Sequence, residues 1–197
     1  MIQWASSAST LVGEKESGDA CAVVPFAGGT LLVVADGLGH GPEAAEASRL
    51  AVRVVREHPE SDLAALVQRC HDALADTRGA VISLAAISED ERELSWLGVG
   101  DAAATLVRSE PAPRRRTTLL LRPGVVGLRL PRLITETLPL SVGDTVVMCT
   151  DGIRSAHIEA LEMRATPREL ADLILATYAR QYDDALVLVA RTLVEGG

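Results

Sequence analysis

The sequence predicts an α+β fold in which mostly antiparallel sheets stack on one another and helices lie outside. Two observations carry that expectation. Strand patterns and helix patterns come in segregated runs: strands, two helices, strands, one helix, a closing strand, unlike the strict alternation of parallel-sheet proteins. The 197 residues are 48% hydrophobic and 23% charged, with mean hydropathy +0.20. That composition can fill one core, and no internal repeat or linker interrupts it. Residues 1–197 are therefore read as a single domain.

The elements follow in order. Residues 20–25 and 30–35 are apolar runs joined by Phe26-Ala27-Gly28-Gly29, a hairpin signature because glycine adopts positive φ at no steric cost. Leu31-Leu32-Val33-Val34-Ala35 is apolar on both faces, so this strand belongs at the centre of the molecule. Pro42 opens a helix to about Glu57, with Ala44, Ala45, Ala47, Leu50 and Val54 at helical spacing. Ser61 caps a second helix carrying Leu63, Leu66, Val67, Cys70 and Leu74 on one stripe, and Gly79 marks its end. Strands are expected over 80–88, 93–99, 102–108, 117–121, 133–138 and 145–150, with a solvated loop over 109–116. Thr166-Pro167-Arg168-Glu169 is a capping box, so a third helix runs to about Gln181. Residues 185–192 form the last strand.

Charge and composition exclude several classes of function. Lys+Arg 19 against Asp+Glu 27 leaves a net charge of −8, a poor balance for gripping a phosphate backbone, so nucleic acid is not an expected partner. The basic run Arg114-Arg115-Arg116 does not reverse this; it reads as a solvated loop rather than a dock for an acidic partner. No window reaches the roughly 18 uninterrupted apolar residues of a membrane span. No basic stretch leads into an apolar run at the N-terminus, so the expected location is cytoplasmic, with no membrane partner. Cys21, Cys70 and Cys149 sit in core-like sequence, as reduced thiols do. Cys149 reads as a buried thiol and not a nucleophile. Trp4 and Trp96 read as core or rim aromatics, and His58, His71 and His157 as surface residues.

The functional signal is where the aspartates stand. Asp36 and Asp151 each follow an apolar strand and precede a glycine; Asp183 and Asp184 precede the last strand; Asp19 precedes the first strand of the hairpin. Carboxylates at the mouths of several core strands can converge in space although far apart in sequence. An all-oxygen set favours a hard cation, Mg²⁺ or Mn²⁺, over zinc. Two such cations a few Å apart activate water and hold a phosphoryl group for in-line attack, which makes a phosphatase without a protein nucleophile. A lone Asp-Gly is most simply a turn, but the combination favours the metal reading.

Val33-Val34-Ala35-Asp36-Gly37-Leu38-Gly39-His40-Gly41, Cys149-Thr150-Asp151-Gly152 and Asp183-Asp184-Ala185-Leu186-Val187-Leu188-Val189 resemble, in order and spacing, the motifs of the PPM-type metal-dependent Ser/Thr protein phosphatases, above all the short bacterial SpoIIE/RsbX group. The resemblance runs from Asp19 to Val189. It implies a four-layer αββα sandwich with a dinuclear Mn²⁺ or Mg²⁺ site at one end. Asp36 would bridge both metals, the Gly37 carbonyl would bind one, and Asp151 and Asp183 would complete the other. Asp19 would orient metal-bound water or touch a metal. Gly98-Val99-Gly100-Asp101 resembles the family's Gly-Asp turn, whose Asp can help hold a third ion; a plain hairpin turn accounts for Asp101 equally well. Asp184 stands where many relatives carry Asn and is read as support for the site.

The chain departs from the larger relatives in two ways. An arginine that holds substrate phosphate is replaced by Gly13-Glu14-Lys15-Glu16, leaving Lys15 as the nearby cation, and the extra flap is missing. A shallow site suits phosphate on a protein surface more than a small molecule. His40 has two readings, a general acid for the leaving alkoxide or a loop residue at the start of the helix. The resemblance points to phosphorylated STAS-domain regulatory proteins of a stressosome-like stress pathway as substrates. The competing functions are a non-catalytic phosphoprotein-binding module of the same fold and an ATP-binding anti-sigma kinase. The second is disfavoured because glycine directly follows Asp36 and the chain contains no asparagine.

Overall fold

The computed structural model describes residues 1–90, 92–109, 116–154 and 165–193. Its elements are β1 (Ile2–Ser9), β2 (Asp19–Phe26), β3 (Gly29–Gly37), α1 (Pro42–Glu57), α2 (Leu63–Ala73), β4 (Ala80–Ser88), β5 (Glu93–Val99), β6 (Ala103–Val107), β7 (Arg116–Thr118), β8 (Leu121–Arg122), β9 (Glu136–Pro139), β10 (Thr145–Cys149), α3 (Pro167–Tyr178) and β11 (Ala185–Thr192). One sheet has the order β1-β11-β10-β6-β7 and the other β2-β3-β4-β5-β8, with β9 also on β5. The pairings are antiparallel except β5 with β8.

Three apolar layers hold the four structural layers together. Leu31, Val33 and Ala35 of β3 point into a core with Ala47, Ala51 and Val55 of α1 and Leu63, Leu66, Val67 and Cys70 of α2. Leu32 and Val34, on the opposite face, meet Met148, Leu186 and Leu188 of the other sheet. The third core joins Val147, Val187 and Val189 to Leu170 and Ile174 of α3. Leu31 through Ala35 are fully buried, which is the two-faced burial that their unbroken apolar run predicts. The architecture is αββα, with α1 and α2 outside one sheet and α3 outside the other.

Several boundaries differ from expectation for physical reasons. The cap of α2 is Asp62, whose carboxylate accepts from the Ala65 amide at 3.0 Å, rather than Ser61. That placement puts the buried Leu63 in the first turn. Helix α2 ends at Ala73, capped by Leu74; Gly79, at φ 77°, instead turns the chain into β4. The expected strand over 117–121 is two strands, because the chain crosses between sheets there: β7 pairs with β6, β8 with β5. Residues 133–138 give only β9, starting at Glu136. Helix α3 stops at Tyr178 because Ala179 bridges Ile153 and the Arg180 amide donates to the Gly152 carbonyl at 2.8 Å. Strand β1 is absent from the sequence reading: its small and polar residues occupy a sheet edge and carry little apolar alternation.

Trp96 is buried, and its Nε1 donates to the Leu120 carbonyl at 3.2 Å, whereas Trp4 is exposed. His58 is exposed; His71 is half-buried and its Nδ1 accepts from the Gly127 amide at 2.9 Å. Cys21, Cys70 and Cys149 form no disulfide, and Cys70 and Cys149 are buried. Burial pushes the Cys70 thiol up to about 12 and the Cys149 thiol higher still. Arg116 opens β7; Arg114, Arg115 and His157 lie outside the described residues. No described helix is long and apolar enough to cross a membrane.

Candidate active site

The ends of β2, β3, β10 and the entry to β11 meet at one end of the sandwich. In the β2–β3 ladder Asp19 lies directly opposite Asp36. Across the gap between sheets, Thr150 Oγ1 donates to Asp19 Oδ2 at 2.7 Å and accepts from the Leu186 amide at 2.9 Å. One hydroxyl thus ties the two sheets together at the site. Asp184, 4% exposed, accepts from the Leu11 and Gly18 amides, each at 2.8 Å, and its own amide donates to Asp183 Oδ1 at 3.0 Å. It holds the segment before β2 against the start of β11.

The two Asp-Gly steps are places where backbones touch. A Cβ on Gly37 would lie 2.0 Å from the Ala44 carbonyl oxygen, and one on Gly152 would lie 1.8 Å from the Asp184 carbonyl oxygen. Glycine is needed at both because α1 closes directly onto the end of β3, and the entry to β11 closes onto the exit of β10. The second approach brings Asp151 beside Asp183. Gly152→Ala is expected to lower stability by about 1–3 kcal/mol, the usual cost of overpacking, and to reduce activity with it. A variant that melts with the wild type in a thermal scan contradicts the close approach.

A cavity of about 570 Å³ at this end is lined by Asp36, Asp101, Asp151 and Asp183, together with Leu38, His40 and Gly100. Asp101 arrives there by a route other than the hairpin turn considered from sequence. β5 and β6 belong to different sheets, so Gly100-Asp101 is the crossover between them, and Gly100, at φ 97°, makes the corner. Burial first, then the charges of Asp19, Asp151, Asp101 and Asp183, push the Asp36 carboxyl up to about 9. Burial likewise raises Asp19 to about 7, the Thr150 hydrogen bond opposing it and Asp184, Asp151 and Asp183 adding to it. Asp151 is raised by burial and by Asp101 and Asp183, while Arg180 and a hydrogen bond with Asp36 pull it down.

Such a set is costly to ionise without a compensating charge. Asp36 and Asp151 line the same cavity, and the Asp151 charge helps hold the Asp36 carboxyl up. Among the described residues no three His, Cys, Asp or Glu side chains already converge on a single ion position. The donor chemistry nevertheless fits hard divalent cations: the ligating atoms on offer are carboxylate oxygens crowded into one cavity, with neither thiolate nor paired imidazoles.

His40 lies on the cavity wall, exposed, with Nδ1 2.6 Å from Glu14 Oε1. Lys15 is exposed and is not among the lining residues. Two cations beside the site were not anticipated. Arg78 reaches Gly39, where an added Cβ would meet its guanidinium at 2.9 Å, and is ion-paired with Glu43. Arg180 donates from Nε to the Asp151 carbonyl at 3.0 Å. Its place three residues before Asp183 was the available signal.

A four-layer αββα sandwich with carboxylates gathered at one strand end is the architecture of PPM-type phosphatases. The sequence profile of Stage II sporulation protein E (SpoIIE) matches residues 27–193. The chain belongs to the SpoIIE family and is a phosphatase of this class. The phosphoserine phosphatase RsbX of Bacillus subtilis (strain 168) is 24% identical over 159 residues, 81% of this chain and 78% of its own length. A structure from work on the bacterial stressosome, a modular system adapted to control secondary messenger signalling, superposes with TM-score 0.87 at 31% identity, covering 97% of this chain and 100% of that one. RsbX in complex with magnesium superposes with TM-score 0.83 at 22% identity, over 96% of this chain and 94% of that one. The kinase alternative is set aside by this family membership.

Proposed function

We propose that this chain is a divalent-cation-dependent phosphatase that removes phosphate from phosphoserine or phosphothreonine on cytoplasmic regulatory proteins, with phosphorylated STAS-domain partners of a stressosome-like assembly as its substrates. The observation that carries this reading is the convergence of Asp36, Asp101, Asp151 and Asp183 on one cavity in a chain of this family. The likeness to RsbX, a phosphoserine phosphatase, and to a structure from stressosome work supports the substrate class.

In this reading Asp36 would be held in common by two Mn²⁺ or Mg²⁺ ions, with the Gly37 carbonyl serving one and Asp151 and Asp183 the other, and Asp101 would help hold a third. When bound, the ions supply Lewis acidity and charge neutralisation at the phosphoryl group. Asp19, fixed by Thr150, orients the attacking water. Glu14 holds His40 at Nδ1, leaving Nε2 to protonate the departing serine or threonine oxygen.

The site is open, so affinity for a substrate comes from the protein surface around the phosphate. Binding energy from the body of the partner brings its phosphate to the reacting position. An intact phosphorylated STAS-domain protein is expected to be processed with kcat/KM at least about tenfold above that of a phosphopeptide of the same local sequence, a modest share of what positioning contributes. Steady-state kinetics on the matched pair test it. Equal values remove the argument for docking. Binding of the phosphoprotein without phosphate release would favour the non-catalytic module.

A further inference from the structure

A phosphomonoester brings about −1.5 to −2 charges near neutral pH. Divalent ions would meet part of that charge, but the chain itself lines the cavity with four aspartates and only one basic side chain, His40. Neither Lys15 nor Arg180 is in the lining; a cation standing at the rim can share in holding the phosphate. Arg78 is one nearby guanidinium, but its charge is already paired with Glu43.

Arg180 differs in what holds it. Its amide donates to the Gly152 carbonyl at 2.8 Å, Nε donates to the Asp151 carbonyl at 3.0 Å, and Nη1 donates to the Tyr182 hydroxyl. The guanidinium carbon also lies 5.7 Å from the centroid of the Tyr182 ring. These partners are neutral, so the fork is held in place while its charge stays available. Among the described residues no carboxylate forms an ion pair with it within 4.0 Å. Nη2 and one Nη1 hydrogen remain to donate, the two-pronged geometry with which arginine binds phosphate oxygens.

We propose that Arg180, positioned by Tyr182 and the Asp151 carbonyl, is the substrate-binding residue that grips the phosphoryl oxygens of the phosphoprotein; the proposal rests on the phosphatase reading above. Its Nε bond to the Asp151 carbonyl sets the guanidinium next to a residue that lines the cavity. Tyr182, 69% exposed, stands beside the fork as an aromatic surface for the partner protein.

The test uses the full chain in Mg²⁺ buffer, comparing wild type, Arg180→Ala, Arg180→Lys and Arg53→Ala. Arg53 lies on α1 beside Glu57 and His58, away from the site, and controls for the loss of one positive charge. Two readouts are taken: the melting-temperature rise given by inorganic phosphate, and KM, kcat and phosphate inhibition with a phosphoserine protein. Arg180→Ala is expected to lose the phosphate-induced rise. KM and the inhibition constant for phosphate should increase tenfold or more, kcat should change less, and the Mg²⁺ concentration for half-activation should stay the same. Arg180→Lys should recover part of the loss, and Arg53→Ala should match wild type. Wild-type phosphate binding in Arg180→Ala overturns the proposal. So does a loss that arises only with a raised Mg²⁺ requirement, since Arg180 would then merely hold the Asp151 backbone. If wild type fails to hydrolyse any phosphoprotein, the functional reading falls, while the melting shift still decides whether Arg180 binds phosphate.

Discussion

Asp36→Asn is expected to reduce turnover by more than about 100-fold, since removing even an outer partner of a metal ligand typically costs 10–100-fold. Asp36 follows the fully buried run Leu31–Ala35, lies opposite Asp19 and lines the cavity with Asp151. In the proposed reading it would serve two ions at once. The amide keeps the shape of the side chain and one oxygen but brings no negative charge. The fold should survive, because the strand is held by its ladder and its two apolar faces. Without metal the Asp36 carboxyl, raised to about 9, is neutral near pH 7, as asparagine is, so the metal-free variant should melt no lower than metal-free wild type. Steady-state hydrolysis of p-nitrophenyl phosphate alongside a thermal melt measures both. Near-wild-type turnover would show that Asp36 does not bridge metals.

Removal of metal is the second large effect. Chelation with EDTA should bring activity to background, and added Mn²⁺ or Mg²⁺ should restore it, because the carboxylate cluster cannot neutralise a phosphoryl group by itself. The same binding should appear as stability: an ion present at 100 times its Kd adds about 2.7 kcal/mol to the folded state. The rise in melting temperature should be smaller in Asp36→Asn, which keeps the other ligands but loses the bridge. Full turnover in chelated, metal-free buffer contradicts the account, and so does a melting temperature that ignores both metals.

The centre of the molecule was legible in the sequence because its residues answer to one constraint. The run Leu31–Ala35 must be buried on both faces, and Pro42 and the Thr166–Glu169 capping box mark helix starts by local chemistry that tertiary contacts reinforce. Edges were harder to read. Strand β1 is built of small and polar residues, and β7 and β8 divide one apolar run because the chain changes sheets within it. The same applies at the site. Asp36, Asp151 and Asp183 announce themselves by sitting next to core strands. Asp101 was ambiguous because a hairpin and a crossover between sheets look alike in sequence. The glycines after Asp36 and Asp151 were visible, but not what closes on them, Ala44 of α1 on Gly37 and Asp184 at the entry to β11 on Gly152. Arg180 and Thr150 stand beside Asp183 and Asp151 in the sequence, but what they bond is set only once β10 and β11 lie side by side.

The most direct test is release of phosphate from a serine-phosphorylated STAS-domain protein by the intact chain, followed by intact-protein mass spectrometry in Mn²⁺, in EDTA, and with Asp36→Asn in Mn²⁺. The account predicts loss of one phosphate mass from the partner in the first condition and an unchanged partner in the other two. Dephosphorylation that persists in EDTA or with Asp36→Asn, or a partner left fully phosphorylated by wild type in Mn²⁺, contradicts it.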